Sequence, residues 1–241
     1  ANPNRLRRTY VFKCVPMLNP DGVINGSYRC SLAGTDLNRT WANPNKRRHP
    51  PIYYVKKMID RVSRSGRLVL FCDLHGHSRK EDVFVYGCEP FRGRDVDRDC
   101  IDPRDEAEAR ARVRLLPFLM ARHNPAFVLR KCSFKVSKSK QGTGRVVVCR
   151  ELGVPNSYTI EASFAGASCS GRHMTSHDFE EVGNSFCAAL AEATDAIEVG
   201  VETELDLLHQ VDDCCGLGLA ALSGKDMTMD GDQVDSGEDS G

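Results

Sequence analysis

The chain has 241 residues, 41% of them hydrophobic and 27% charged, with a formal net charge of zero. This balance suits one large globular domain, or a domain and a tail. No apolar stretch approaches the ~18 residues that a membrane-spanning helix needs, which excludes that class. The charge is unevenly spread: residues 1–200 hold 32 Lys and Arg against 22 Asp and Glu, while residues 201–241 hold Lys225 against 11 acids. A basic body with an acidic tail suits an anionic substrate or partner, although any one charge run is as a rule a solvated face. The 11 cysteines are odd in number and have no repeating spacing. They read as reduced thiols of a cytoplasmic protein. Ala1–Arg8 lacks the apolar core of a signal peptide. The chain starts without Met and soon enters a predicted strand, so it is expected to be cut from a longer one.

In chain order, residues 9–18 read as a buried strand, stopped by the turn signal Asn19-Pro20-Asp21-Gly22. Residues 19–48 are polar and rich in Gly and Asn, a loop long enough to be functional. Ile52, Val55, Ile59 and Val62 have helical spacing over 50–65. Strands follow at 67–74 and 82–88. Residues 89–103 read as a charged surface insertion. A helix covers 105–122, with Pro117 as a kink or break. Strands are predicted at 133–139, 145–152 and 156–164, and a helix from Thr175-Ser-His-Asp178 to about Val199. Beyond Gly200 the chain turns acidic, and after Gly216 its Gly, Ser and Asp content reads as a disordered tail. The expected fold is an α/β/α sandwich around a mixed sheet, with a partial catalytic domain over 1–199 and a tail over 200–241.

The apolar run 67–72 ends in Asp73-Leu-His-Gly-His-Ser78. Active sites of open α/β sheets lie at such carboxyl ends of strands. An imidazole beside a carboxylate there is a candidate zinc ligand, or a satisfied strand-end histidine. Glu161 interrupts the apolar strand Tyr158-Thr-Ile-Glu-Ala162, and a carboxylate at such a position needs a partner or a function. Arg29 and Asn38-Arg39 lie in the long loop.

Together these motifs carry a resemblance. Asn19-Pro-Asp-Gly22, Arg29, Asp36-Leu-Asn-Arg-Thr-Trp41, Asp73-Leu-His-Gly-His-Ser78 and Ser157-Tyr-Thr-Ile-Glu161 stand in the order seen in zinc metallocarboxypeptidases of the M14 family. In detail, residues 9–195 resemble the cytosolic carboxypeptidase branch, whose members trim glutamates from tubulin tails and other acidic C-termini. The resemblance implies that His75 matches the third zinc ligand. It implies that Asn38 and Arg39 match the pair binding the substrate's terminal carboxylate, for which the planar fork of Arg is suited. Arg29 then matches the cation that steadies the tetrahedral oxyanion, and Glu161 the general base. His77 is read as structural or as a support to the ligands.

Two departures stand beside it. The family's first two zinc ligands come from an HxxE motif upstream of the Asn-Pro-Asp-Gly turn, and no histidine precedes His49. The one HxxE, His177-Asp-Phe-Glu180, follows Glu161 and reads as helix capping. The family's substrate-covering phenol also has no counterpart in Val146–Arg150. Lys140, Arg145 and Arg150 are candidates, by location, for binding an acidic substrate side chain. The expected function is hydrolysis of C-terminal or branch glutamates from acidic, tubulin-like or polyglutamate tails, with Zn2+ as cofactor and no nucleic-acid or membrane partner. This chain is expected to be inactive alone. The alternatives are a non-catalytic binder of acidic tails and an amidase on the same fold.

Overall fold

The computed structural model describes residues 3–66, 68–90, 102–199 and 201–216. Its sheet has three strands, β1 (Phe71–His77), β2 (Val83–Tyr86) and β3 (Ser157–Ser163), in the order β1-β3-β2. β3 runs parallel to β1 and antiparallel to β2, so the sheet is mixed. The helices are α1 (Pro3–Thr9), α2 (Pro20–Ile24), α3 (Pro50–Arg64), α4 (Pro103–His123), α5 (Gly144–Leu152), α6 (Ser176–Val199) and α7 (Val201–Cys215).

Alternation along the strands sends successive side chains to opposite faces. Val83, Val85, Tyr158, Ile160 and Ala162 join one core with α4, α6 and α7. The other face is covered by α3 and α5, where Trp41, Ile52, Ile59, Val147 and Val148 pack with Phe71. Helices on both faces of a mixed sheet give the expected α/β/α sandwich.

Local chemistry explains the helix limits. α3 opens on two prolines, whose missing N–H groups would be unpaired there anyway. α4 is capped by Asp102, which accepts from the Arg104 N–H at 2.8 Å, with Asp105 and Glu106 in the first turn. Pro117 neither ends α4 nor leaves an orphan group. It removes the N–H that would bond the Val113 carbonyl, and the buried Tyr158 hydroxyl donates there instead, at 2.9 Å.

Four elements differ from the sequence expectations. Residues 10–19 form no strand after α1; Val11, Phe12, Val15 and Met17 are exposed, and among the described residues no strand pairs with them. Residues 145–152 form helix α5 instead of a strand. Packing on the sheet overrides the β preference of Val146-Val-Val148, and Gly153 closes the helix at φ 69°. Residues 133–139 contribute one bridge, from Ser133 to Tyr86, and a turn. The acidic stretch after Gly200 begins as α7, with Leu207, Leu208 and Val211 buried in the core, so the folded body continues past 199. Most of the predicted surface insertion, and the tail beyond Gly216, lie outside the described residues.

Candidate functional site

In the register of β1 and β3, His75 lies directly opposite Glu161. Parallel neighbours in register share a face, so imidazole and carboxylate stand side by side near the carboxyl end of the sheet. On the opposite face of β1, Gly76 leaves room for the Phe164 ring, which a Cβ there would meet.

His75 and Glu161 line a pocket of about 550 Å3. Its other walls come from the loop bearing Tyr28, Arg29, Asn38 and Arg39, from Tyr86 on β2, and from the segment bearing Lys135, Lys140 and Arg145. All five predicted site residues, Arg29, Asn38, Arg39, His75 and Glu161, therefore meet in one place. Of the three cations considered for an acidic side chain, Lys140 and Arg145 line the pocket and Arg150 does not. The lining holds six Lys and Arg side chains and one carboxylate, Glu161.

Asp36 organises the loop wall. Its Oδ2 accepts from Arg29 Nε at 2.8 Å and lies 3.5 Å from Arg39 Nη1, while Oδ1 accepts from the Asn38 N–H at 2.9 Å. One carboxylate thus caps the single turn Leu37–Arg39 and holds both guanidinium groups. Asn38 Oδ1 accepts from the Gly144 N–H at 2.9 Å, tying this loop to the first turn of α5. The role of Asp36 was not apparent from sequence, although its place ahead of Leu-Asn-Arg is a capping signal.

Arg145 is 6% exposed, donates from Nε to the Gly87 carbonyl at 3.1 Å, and has its guanidinium 5.4 Å from the Tyr86 ring centroid. Burial lowers its pKa from the usual arginine value. Tyr28, also missed in the sequence, is largely exposed at the rim, where its hydroxyl lies 3.2 Å from Ser78 Oγ.

His75 Nε2 lies 2.9 Å from Asp73 Oδ2, the carboxylate two residues back on the same face of β1. Burial disfavours the imidazolium, but the hydrogen bond to Asp73 and the charges of Asp73 and Glu161 outweigh it and raise the pKa. His77 also lines the pocket, and its Nδ1 accepts from the N–H groups of Arg79 and Lys80 at 3.1 and 3.0 Å. His177 and Glu180 are exposed at the start of α6, outside the pocket lining.

Among the described residues, no group of three His, Cys, Asp or Glu side chains is placed to hold a metal ion. A catalytic zinc takes three protein ligands and keeps one position open. Here His75 offers one nitrogen, backed by Asp73 in the way such ligands are usually supported. The described donors do not by themselves fit a zinc ion.

The mixed sheet between helix layers is the fold of metallocarboxypeptidases. A metallocarboxypeptidase from Pseudomonas aeruginosa, solved with (2-guanidinoethylmercapto)succinic acid, superposes with a TM-score of 0.63 at 24% identity, over 81% of this chain and 50% of that one. One from Burkholderia cenocepacia gives a TM-score of 0.59 at 21% identity, over 76% and 44%. No family model matches the chain. Curated sequences give the particular kinship. The chain is 47% identical to cytosolic carboxypeptidase 1 of Danio rerio and 46% identical to that of Homo sapiens, over 77% of its own length. Cytosolic carboxypeptidase 2 of Danio rerio is 41% identical over 79%. The chain is thus a relative of the cytosolic carboxypeptidases, and it spans 15–25% of the length of these three. No helix among the described residues is long and apolar enough to cross a membrane.

Proposed function

We propose that this pocket receives the C-terminus of an acidic polypeptide, and that the longer protein of which such a segment is part is a cytosolic zinc carboxypeptidase removing glutamates. The observation that carries the reading is the gathering of Arg29, Asn38 and Arg39 on Asp36, in a pocket whose lining is six cations to one carboxylate. Asn38 and Arg39 bind the terminal carboxylate, where a guanidinium can give two parallel hydrogen bonds. Lys140 and Arg145 take the glutamate side chain. Arg29 steadies the oxyanion, and Glu161 takes a proton from the attacking water and returns it to the leaving amine. Zinc would act as the Lewis acid at His75, with ligands beyond those described here. Tubulin-like tails and polyglutamate branches are the substrates of this reading.

A second reading has one observation in its favour. With no three-ligand group among the described residues, this reading has them bind acidic tails without hydrolysing them.

Both readings are tested by calorimetric titration of a glutamate-terminated peptide into the chain and its variants. Charge-assisted pairing is worth about 1.5–3 kcal/mol, so Arg39→Ala should weaken binding by roughly tenfold or more. His75→Ala should leave it within about twofold. An Arg39→Ala chain that binds like the unaltered one would overturn the assignment.

A further inference from the structure

Two thiols that the proposed chemistry does not use lie behind the pocket wall. Cys88 follows β2 and is 2% exposed, while Cys149 lies on α5 and is half-buried. Their segments are already tied together twice. Arg145 Nε donates to the Gly87 carbonyl at 3.1 Å, and Cys88 Sγ lies 3.8 Å from the Arg145 carbonyl oxygen. A helical carbonyl bonds the N–H four residues on, so the Arg145 carbonyl belongs to the turn that ends at Cys149. Cys88 therefore sits against the turn that carries Cys149, and Cys149 is the more exposed of the two thiols. Hydrogen bonding from Cys88 holds the Cys149 thiol below its usual range, with Arg150 and Arg145 adding to the effect. The same contact and burial push Cys88 up. By contrast, burial pushes Cys72 and Cys132 up to about 12, which leaves them unreactive.

We propose that Cys88 and Cys149 are a redox modification site, closing to a reversible disulfide with a low-molecular-weight disulfide such as glutathione disulfide. The Cys149 thiolate attacks one sulfur of the reagent, its S–S bond breaks, and one glutathione leaves as thiolate. Cys88 then attacks Cys149 Sγ in the mixed disulfide, and the second glutathione leaves. Two protein thiols are oxidised, one glutathione disulfide is reduced to two thiols, and the two protein protons end on the departing glutathiones. The new bond joins the end of β2 to α5. It clamps the wall that presents Arg145, together with the α5 turn whose Gly144 N–H holds Asn38. The other cysteines among the described residues are free thiols, so such a bond acts as a sensor and not as a staple. The proposal does not depend on the carboxypeptidase reading.

The test treats the full 241-residue chain with glutathione disulfide, alkylates the remaining thiols, and maps the digested peptides by mass. A Cys88–Cys149 linked pair, lighter by two hydrogens and lost on adding dithiothreitol, is the expected result. In Cys88→Ser, the glutathione adduct should persist on Cys149. The proposal is overturned if both thiols are alkylated in protein whose exposed Cys169 and Cys187 carry glutathione. It is equally overturned if Cys149 crosslinks elsewhere or keeps its adduct with Cys88 intact.

Discussion

Tyr158 and Asp82 each settle a local conflict with one side chain. Tyr158 donates to the Val113 carbonyl that Pro117 leaves without a helical partner. Pro117 was visible in the sequence as a break, but its remedy comes from a strand some forty residues later, beyond any local pattern. Tyr158→Phe keeps the packing and orphans that carbonyl, so it should cost about 1–3 kcal/mol in urea unfolding. An unchanged midpoint would show that the bond contributes nothing. Asp82 is fully buried at φ 75°, a region that Asp and Asn tolerate better than most side chains. Burial opposes its charge, but Lys131 Nζ at 2.6 Å and the Ser168 N–H and hydroxyl outweigh that and lower its pKa. A carboxyl depressed in the folded state stabilises above its unfolded value of about 3.9, and that stability fades as pH falls through the folded value. Asp82→Asn should therefore be less stable at pH 7 by about 1–3 kcal/mol, with the deficit shrinking below about pH 4. A deficit that grows on acidification would contradict this.

At the scale of elements, the sequence was most legible where one period dominated. The 3.6-residue pattern of α3 and α6 and the apolar strands β1, β2 and β3 all stand where expected, within a few residues. It failed where tertiary packing overrode composition. Val146-Val-Val148 reads as strand, yet lies buried within helix α5. Net charge likewise hid α7, where Leu207, Leu208 and Val211 join the core while Leu205 stays exposed. Leu208 is 1% exposed, so Leu208→Ala should cost about 2–5 kcal/mol in thermal unfolding. A variant that melts with the parent would return α7 to the tail.

At the scale of the molecule, the α/β/α fold brings residues from five segments to one pocket. The five predicted site residues were legible because each sits at a turn or strand end within a recognisable motif. Asp36, Arg145 and Tyr28 were harder to place, because what defines them is contact across segments. The same assembly brings His75 and His77 to the pocket wall but no three-ligand group among the described residues. After dialysis against a weak chelator, the chain should retain far less than one zinc per molecule, read by elemental analysis. Near-stoichiometric zinc would mean that ligands outside the described residues complete the site.

Recognition of a free C-terminus is the claim on which the functional account rests. It is measured by comparing a glutamate-terminated peptide with its C-terminal amide at fixed ionic strength, since exposed charges are screened by salt. The account predicts that amidation weakens binding about tenfold or more, as expected for loss of one charge-assisted pair. Equal affinity for acid and amide would mean that Asn38 and Arg39 do not read the terminal carboxylate, and would contradict the account.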